Sequence, residues 1–134
     1  MSSLLDINLD DVGTLKTMAD NEEVQLRIAR AEIVPNKSDP SRNNLALTFD
    51  VPAEPLADDV RVWIPIPNAE LKSEEPKRYI KQVNRLAECL AAFGARPPIE
   101  TDSLLGLEGW GIVSEEEDPN GVMRNSVRRF ITRK

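Results

Sequence analysis

The sequence predicts a mainly β domain: five strands in a small barrel, with one helix between strands three and four, in the order β-β-β-α-β-β. Two observations carry this. Apolar and polar residues alternate at period two in successive short stretches, as half-buried strands require. Only residues 79–93 change to apolar positions three and four apart, the spacing of an amphipathic helix. A third observation sets the scale. A chain of 134 residues is one domain, long enough to bury a core but too short for a second catalytic unit.

The elements follow in order. Residues 1–22 form an acidic segment without a sustained apolar period, with a short helical turn expected near Val12–Met18; the domain proper is read as 23–134. From Glu23 onward, Val24, Leu26 and Ile28 alternate with Gln25 and Arg27, and then the phase slips to Ala31 and Ile33. A one-residue slip inside a strand is what a β-bulge produces, and it belongs near Ala29–Arg30. Pro35 to Asn44 is a polar loop with two prolines. In the second strand Leu45, Leu47, Phe49 and Val51 share one face, with Ala46, Thr48 and Asp50 on the other. Pro52 to Asp59 is an acidic connection. The third strand turns Val60, Val62, Ile64 and Ile66 inward and Arg61, Trp63 and Pro65 outward. Pro65 and Pro67 lack amide donors and suit a sheet edge or strand end.

The helix is expected to start at an N-cap Ser73, with Glu74, Glu75 and Pro76 in its first turn. Tyr79, Val83, Leu86, Leu90 and Phe93 form its apolar stripe; Gly94 supplies the stop, and Pro97-Pro98 prevent continuation. After a linker, Leu107 to Glu115 is the fourth strand. Trp110, between Gly109 and Gly111, is expected to fill the interior. Asp118-Pro119-Asn120-Gly121 is a hairpin turn, and the last strand runs from Val122 to about Thr132. Its facing is ambiguous, because Val127 and Phe130 fall on opposite parity. This strand order, with a bulged first strand, is that of an OB-fold barrel. An open five-stranded sheet with the helix plugging one end is the alternative.

Composition narrows the function. The chain has no histidine and one cysteine, Cys89. Ser-His-Asp and Cys-His catalysis are thereby excluded, as is an internal disulfide. No phosphate-binding glycine motif and no paired-carboxylate motif is present, so a binding module is expected rather than an enzyme. Asp58-Asp59 and Glu115–Asp118 lack the spacing of a calcium loop. No cofactor and no metal are expected. No apolar run is long enough to span a bilayer, and MSSLLDINLDD lacks the basic flank of a signal peptide; a cytoplasmic location is expected.

The net charge of −6 is segregated along the chain: −5 over residues 1–23, +2 over 24–49, −5 over 50–76, +1 over 77–113, −4 over 114–118 and +5 over 121–134. An acidic protein can still bind a polyanion if its bases share a face. The candidates are these. Trp63 faces outward on strand three, where its indole can stack a base or pack beneath another segment or a dimer partner. Arg61 points the same way. Lys37 and Arg42 sit in the first loop, either closing over a ligand or solvated. Arg27 extends the surface along strand one. Arg124, Arg128 and Phe130 form a basic, aromatic-interleaved face on the last strand, unless the arginines pair with Glu115, Glu116 and Glu117 across the hairpin.

These stretches also carry a likeness. EVQLRIARAEIV, NNLALTFDV, VRVWIPIPN, LAECLAAFGA and LLGLEGWGIVSEEED leading to NGVMRNSVRRFI, after an LDINLDDV opening, resemble small bacteriophage OB-fold proteins of the single-stranded-DNA-binding type, over roughly 22–132. The resemblance implies a sequence-tolerant coat on single-stranded DNA in phage replication or recombination. It also implies no cofactor. A homo-oligomer or cooperative filament is expected because one OB-fold covers only roughly 4–16 nucleotides, with contacts to replication or recombination proteins and residence in the host cytoplasm as further expectations. Many such proteins carry an acidic tail, whereas this chain ends RRFITRK, and its aromatic content is only 4%, so binding is expected to lean on charge. Two readings from other classes stand beside it: a structural or regulatory protein–protein module, and an acidic mimic of DNA.

Overall fold

The computed structural model describes residues 15–132, together with Leu4 and Gly13. Five strands form one antiparallel sheet: β1 (Glu23–Pro35), β2 (Asn43–Asp50), β3 (Val60–Ile66), β4 (Glu108–Glu117) and β5 (Met123–Ile131). Their spatial order is β3-β2-β1-β4-β5. Three helices, α1 (Ala69–Glu74), α2 (Pro76–Ala92) and α3 (Thr101–Leu104), lie between β3 and β4. The fold is therefore mainly β, with five strands and helices in the expected interval. The sheet is not closed into a barrel. β3 and β5 come into contact, but no ladder of hydrogen bonds joins them.

β1 is the central strand, and its bulge lies where the phase slip put it. The register against β2 shifts between Ile28 and Arg30, leaving Ala29 as the extra residue. Before the bulge, Glu23 to Arg27 pair with β4; beyond it, Arg30 to Pro35 pair only with β2. The kink thus lets one strand serve both halves of the sheet.

The second bulge was not expected. Between β4 and β5, Ile112 pairs with Arg129 but Val113 pairs with Val127, so Arg128 is the additional residue. It reverses the parity of β5, and Val127 and Phe130 both turn inward. The ambiguous facing of this strand has that cause.

The inner face is closed by Leu26, Phe49, Val60, Ile64 and Val113, each at the limit of burial. Phe49, Phe93 and Phe130 meet at its centre. Phe49 and Phe93 stack at 5.4 Å between centroids, and Phe130 tilts against both at 6.1 and 6.0 Å.

The helical region departs from expectation at its start. Ser73 lies inside α1, and the N-cap is Asn68, whose Oδ1 accepts from the Leu71 amide at 2.8 Å. The chain then leaves the helix at Glu75, as a residue preceding proline tends to, and Pro76 opens α2. Gly94, at φ +68°, ends it as predicted. α3, read as linker from the sequence, is held by Ser103, whose hydroxyl accepts from the Glu100 amide and donates to the Glu100 carbonyl.

Trp110 also needs correction. The inward positions of β4 are Gly109 and Gly111, and Trp110 is half-buried on the opposite face, across from Gln25 and Ile131. A Cβ on Gly109 would stand 2.6 Å from the Ala92 carbonyl oxygen and 2.9 Å from the Phe93 ring. The end of α2 therefore rests directly on the β4 backbone, and the interior has no space there for an indole.

The described part of the acidic segment packs onto the sheet. Val12 and Thr14 lie outside the described residues, and Leu15–Met18 take no part in a helix. Lys16 instead forms a parallel bridge with Ala57, donating to the Leu56 carbonyl and accepting from the Asp58 amide, both at 2.8 Å. Met18 is buried in the core. Its amide donates to Asn125 Oδ1, and its carbonyl accepts from Asn125 Nδ2. Asn21 and Glu22 then bond to Val113 on β4. This strap crosses from the β2–β3 connection to β4, over the seam where β3 meets β5.

A candidate nucleic-acid interface

The outer face of β2 and β3 follows from their alternation. Leu45, Leu47, Phe49, Val60, Val62 and Ile64 go inward, so Asn44, Ala46, Thr48, Arg61 and Trp63 go outward. Ala46 is the cross-strand partner of Trp63 and Thr48 that of Arg61. A methyl beside the indole leaves it uncovered, and Trp63 is 57% exposed.

Trp63 divides two clefts. One, of about 520 Å³, is lined by Val34, Pro35, Asn36, Lys37, Asn44 and Trp63. The other, of about 450 Å³, runs along the β3–β5 seam and is lined by Asp59, Arg61, Trp63, Arg124 and the acids Glu116, Glu117 and Asp118, among others. Trp63, Arg61 and Lys37 are thus brought together as expected. Among the described residues neither Arg61 nor Lys37 has an ion-pair partner.

The other candidates are placed differently. Arg27 projects from β1 and is engaged by Asp50 at 3.2 Å. The Arg42 side chain is only 13% exposed, folded into its own loop with Asp39 at 3.0 Å. Arg124 stands on the seam cleft but is bound by Asp118 at 2.9 Å and Asp58 at 3.4 Å, not by Glu115–Glu117. Arg128, the bulge residue, is held by Asp20 at 2.9 Å. Phe130 is 2% exposed and offers no face to a ligand; the bulge at Arg128 has turned its ring into the core. The C-terminal basic face expected from parity is therefore broken into separate ion pairs.

The carboxylates in these pairs are tuned accordingly. The Glu115 amide, and then Arg128, hold the Asp20 carboxyl below the ordinary aspartate range. The Val122 amide, followed by Arg124, does the same for Asp118. Asp39 is lowered by the Ser41 hydroxyl and amide, with Arg42 contributing less. Cys89 is a buried residue of α2, and burial pushes its thiol up to about 12. Among the described residues no group of His, Cys, Asp and Glu side chains is gathered to hold a metal, and no helix is long and apolar enough to cross a membrane.

Sequence reasoning missed Asn44, Asp20 and Asn125. Asn44 continues the parity of Ala46 and Thr48, which was signal enough to place it beside Trp63. Asp20 and Asn125 act across long separations in the chain and leave no local signal. Neither a scan of protein-family models nor a search of curated proteins returned a match to this chain.

Proposed function

We propose that this chain is an OB-fold domain that binds single-stranded DNA with little regard to sequence, in a replication or recombination system of the phage type. The OB-fold reading is supported by the strand order, by the bulged β1 shared between two halves, and by the contact of β3 with β5. Hydrogen bonds across that seam are all that a closed barrel of this order would add.

The observation that carries the binding reading is Trp63. A largely exposed indole on the outer face of β3, flanked by one uncommitted base in each cleft, suits a base stacked on its ring and phosphates neutralised by Arg61 and Lys37. Arg124 and Arg27 border this surface and would have to exchange an aspartate for a phosphate. One such domain covers roughly 4–16 nucleotides, so coating a strand requires cooperative copies. Contacts with other replication or recombination proteins, and residence in the host cytoplasm, belong to the same proposal.

Intrinsic fluorescence titrated with oligo-dT at low and high salt tests it. Quenching that weakens with salt is expected, and Trp63→Ala should remove both the signal and about 1–3 kcal/mol of affinity. Arg61→Ala should lower the salt slope by about one. Arg128, already paired with Asp20, should alter it less. Unchanged affinity in the Trp63 and Arg61 variants rejects the site.

A protein–protein module is the second reading, and one feature favours it. An apolar cleft of about 530 Å³ lies between β1–β3 and the helices, lined chiefly by Ile33, Leu45, Ile66, Leu86, Leu90 and Ile99. Ile33 at its edge is 59% exposed. Failure to bind oligo-dT, with a solution mass above that of one chain, would favour this reading.

A further inference from the structure

We infer that the free edge of β1 beyond its bulge, Arg30 to Val34, is where two copies of this chain join, strand against strand and antiparallel, about a two-fold axis at Ala31. The joint needs no nucleic acid, so it stands apart from the single-stranded-DNA reading and is measured without it.

β1 has neighbours on both sides only up to the bulge. Glu23 to Arg27 pair with β4, and Ile28 is the last residue served on that side, by Gly106 and Leu107. Beyond Ala29, among the described residues, the strand has β2 on one side and no backbone partner on the other. In an antiparallel pair, successive residues turn their amide and carbonyl alternately toward the partner and away from it. Every second residue from Arg30 to Val34 therefore presents an unmatched amide and carbonyl along this edge. Such an edge is a template for another strand. The inner face tells the same story. Arg30 and Glu32 lie opposite Thr48 and Ala46 and so face outward, while Ala31 and Ile33 lie opposite Leu47 and Leu45 and face inward. Ile33 is nonetheless 59% exposed, because a cleft separates it from α2 and no strand flanks it. An adjoining strand would cover it.

The charges specify which strand. Arg30 and Glu32 hold each other at 2.7 Å in an exposed pair on the outer face. Antiparallel pairing of two copies about Ala31 sets Arg30 of each opposite Glu32 of the other. The stretch Arg30-Ala31-Glu32 is thus complementary to itself, with two unlike crossings and only a methyl from each copy at the axis. The same patch serves both copies, so the contact closes on itself as a dimer. On the inner face it brings Ile33 of each copy toward the exposed Leu105 of the other, whose neighbour Gly106 bonds the Ile28 carbonyl at the bulge. The axis stands perpendicular to the sheet, so the outer faces of both copies, with their Trp63 rings, look the same way.

Sedimentation equilibrium of the full chain at low salt, without DNA, tests the joint. Twice the mass of one chain is expected in the micromolar range. Glu32→Arg opposes like charges at both crossings and should weaken association about tenfold or more. Adding Arg30→Glu restores unlike pairs and should bring association back to within about threefold of the wild type. Both side chains are exposed, so circular dichroism should show the three proteins folded alike. A single-chain mass for the wild type overturns the joint, and is what an edge reserved for another protein's strand would give. A dimer that Glu32→Arg leaves intact, or that the double reversal does not restore, overturns it too. Hydrogen exchange in the wild type answers without any substitution. The edge amides between Arg30 and Val34 should exchange more slowly as concentration rises, and protection that does not change with concentration overturns the joint. Failure of the oligo-dT titration while the charge-reversal pattern holds rejects the DNA surface and leaves the joint standing.

Discussion

Phe130 stands at the meeting point of sheet and helix, touching Phe49 and Phe93 and covered by the Arg85 guanidinium at 5.0 Å from its centroid. Truncating it should leave a cavity in a closely packed region, and Phe130→Ala is expected to cost about 3–5 kcal/mol, read from urea unfolding. Trp63→Ala should change stability by no more than about 0.5 kcal/mol, because the ring is mostly in solvent. The two aromatics therefore separate a folding residue from the proposed binding residue in one pair of experiments. Their legibility in the sequence differed for the same reason. Trp63 lies in an unbroken alternation, so parity alone placed it outside. Phe130 follows a bulge that only the pairing of Val113 with Val127 reveals, and counting by two across it gave the wrong face.

At the scale of elements, α2 does more than cover the core. Its side chains serve the backbone of β5 beyond the bulge. Arg85 donates to the carbonyls of Val127 at 2.9 Å and Arg128 at 3.2 Å, and Glu88 accepts from the Phe130 amide at 2.8 Å. These are groups that strand-to-strand bonding would otherwise engage, so the helix takes the place of part of the seam and the sheet stays open there. Glu88→Ala should leave the Phe130 amide without its partner. A loss of about 1–3 kcal/mol is expected, with faster hydrogen exchange at that amide than at its β4 neighbours. The apolar stripe and the Gly94 stop made this helix readable, and the bulge in β1 was readable as a phase slip. The break at Glu75–Pro76 was hidden, because Ser73 and Asn68 are both acceptable caps and only packing chooses between them.

For the whole molecule, ion pairs between distant segments organise the charge. Asp20 holds Arg128, and Asp58 and Asp118 hold Arg124, so the strap, the β2–β3 connection and the β4–β5 hairpin are tied at the seam. Segregated charge was visible along the sequence, but which acid meets which base depends on folding, which brings Asp20 to Arg128 across 108 residues and Asp58 to Arg124 across 66. Asp20 and Asp118 have depressed pKa values in the folded protein. Such groups stabilise the fold above their unfolded value, about 3.9, and lose that contribution as pH falls through the lower folded value. Stability from these pairs should be steady near neutrality and decline below about pH 4. Asp20→Asn should flatten that acid decline in thermal melts recorded from pH 6 to pH 2.

The Met18–Asn125 clamp has a consequence for how the chain is made. Met18 leaves the ribosome 107 positions ahead of Asn125. A nascent chain stalled after β3 but before Asn125 can pair β1 with β2 and β2 with β3, but it holds an unplaced methionine and an unanchored strap. The amide that fixes this strap is supplied only after β4 and the start of β5 have been made.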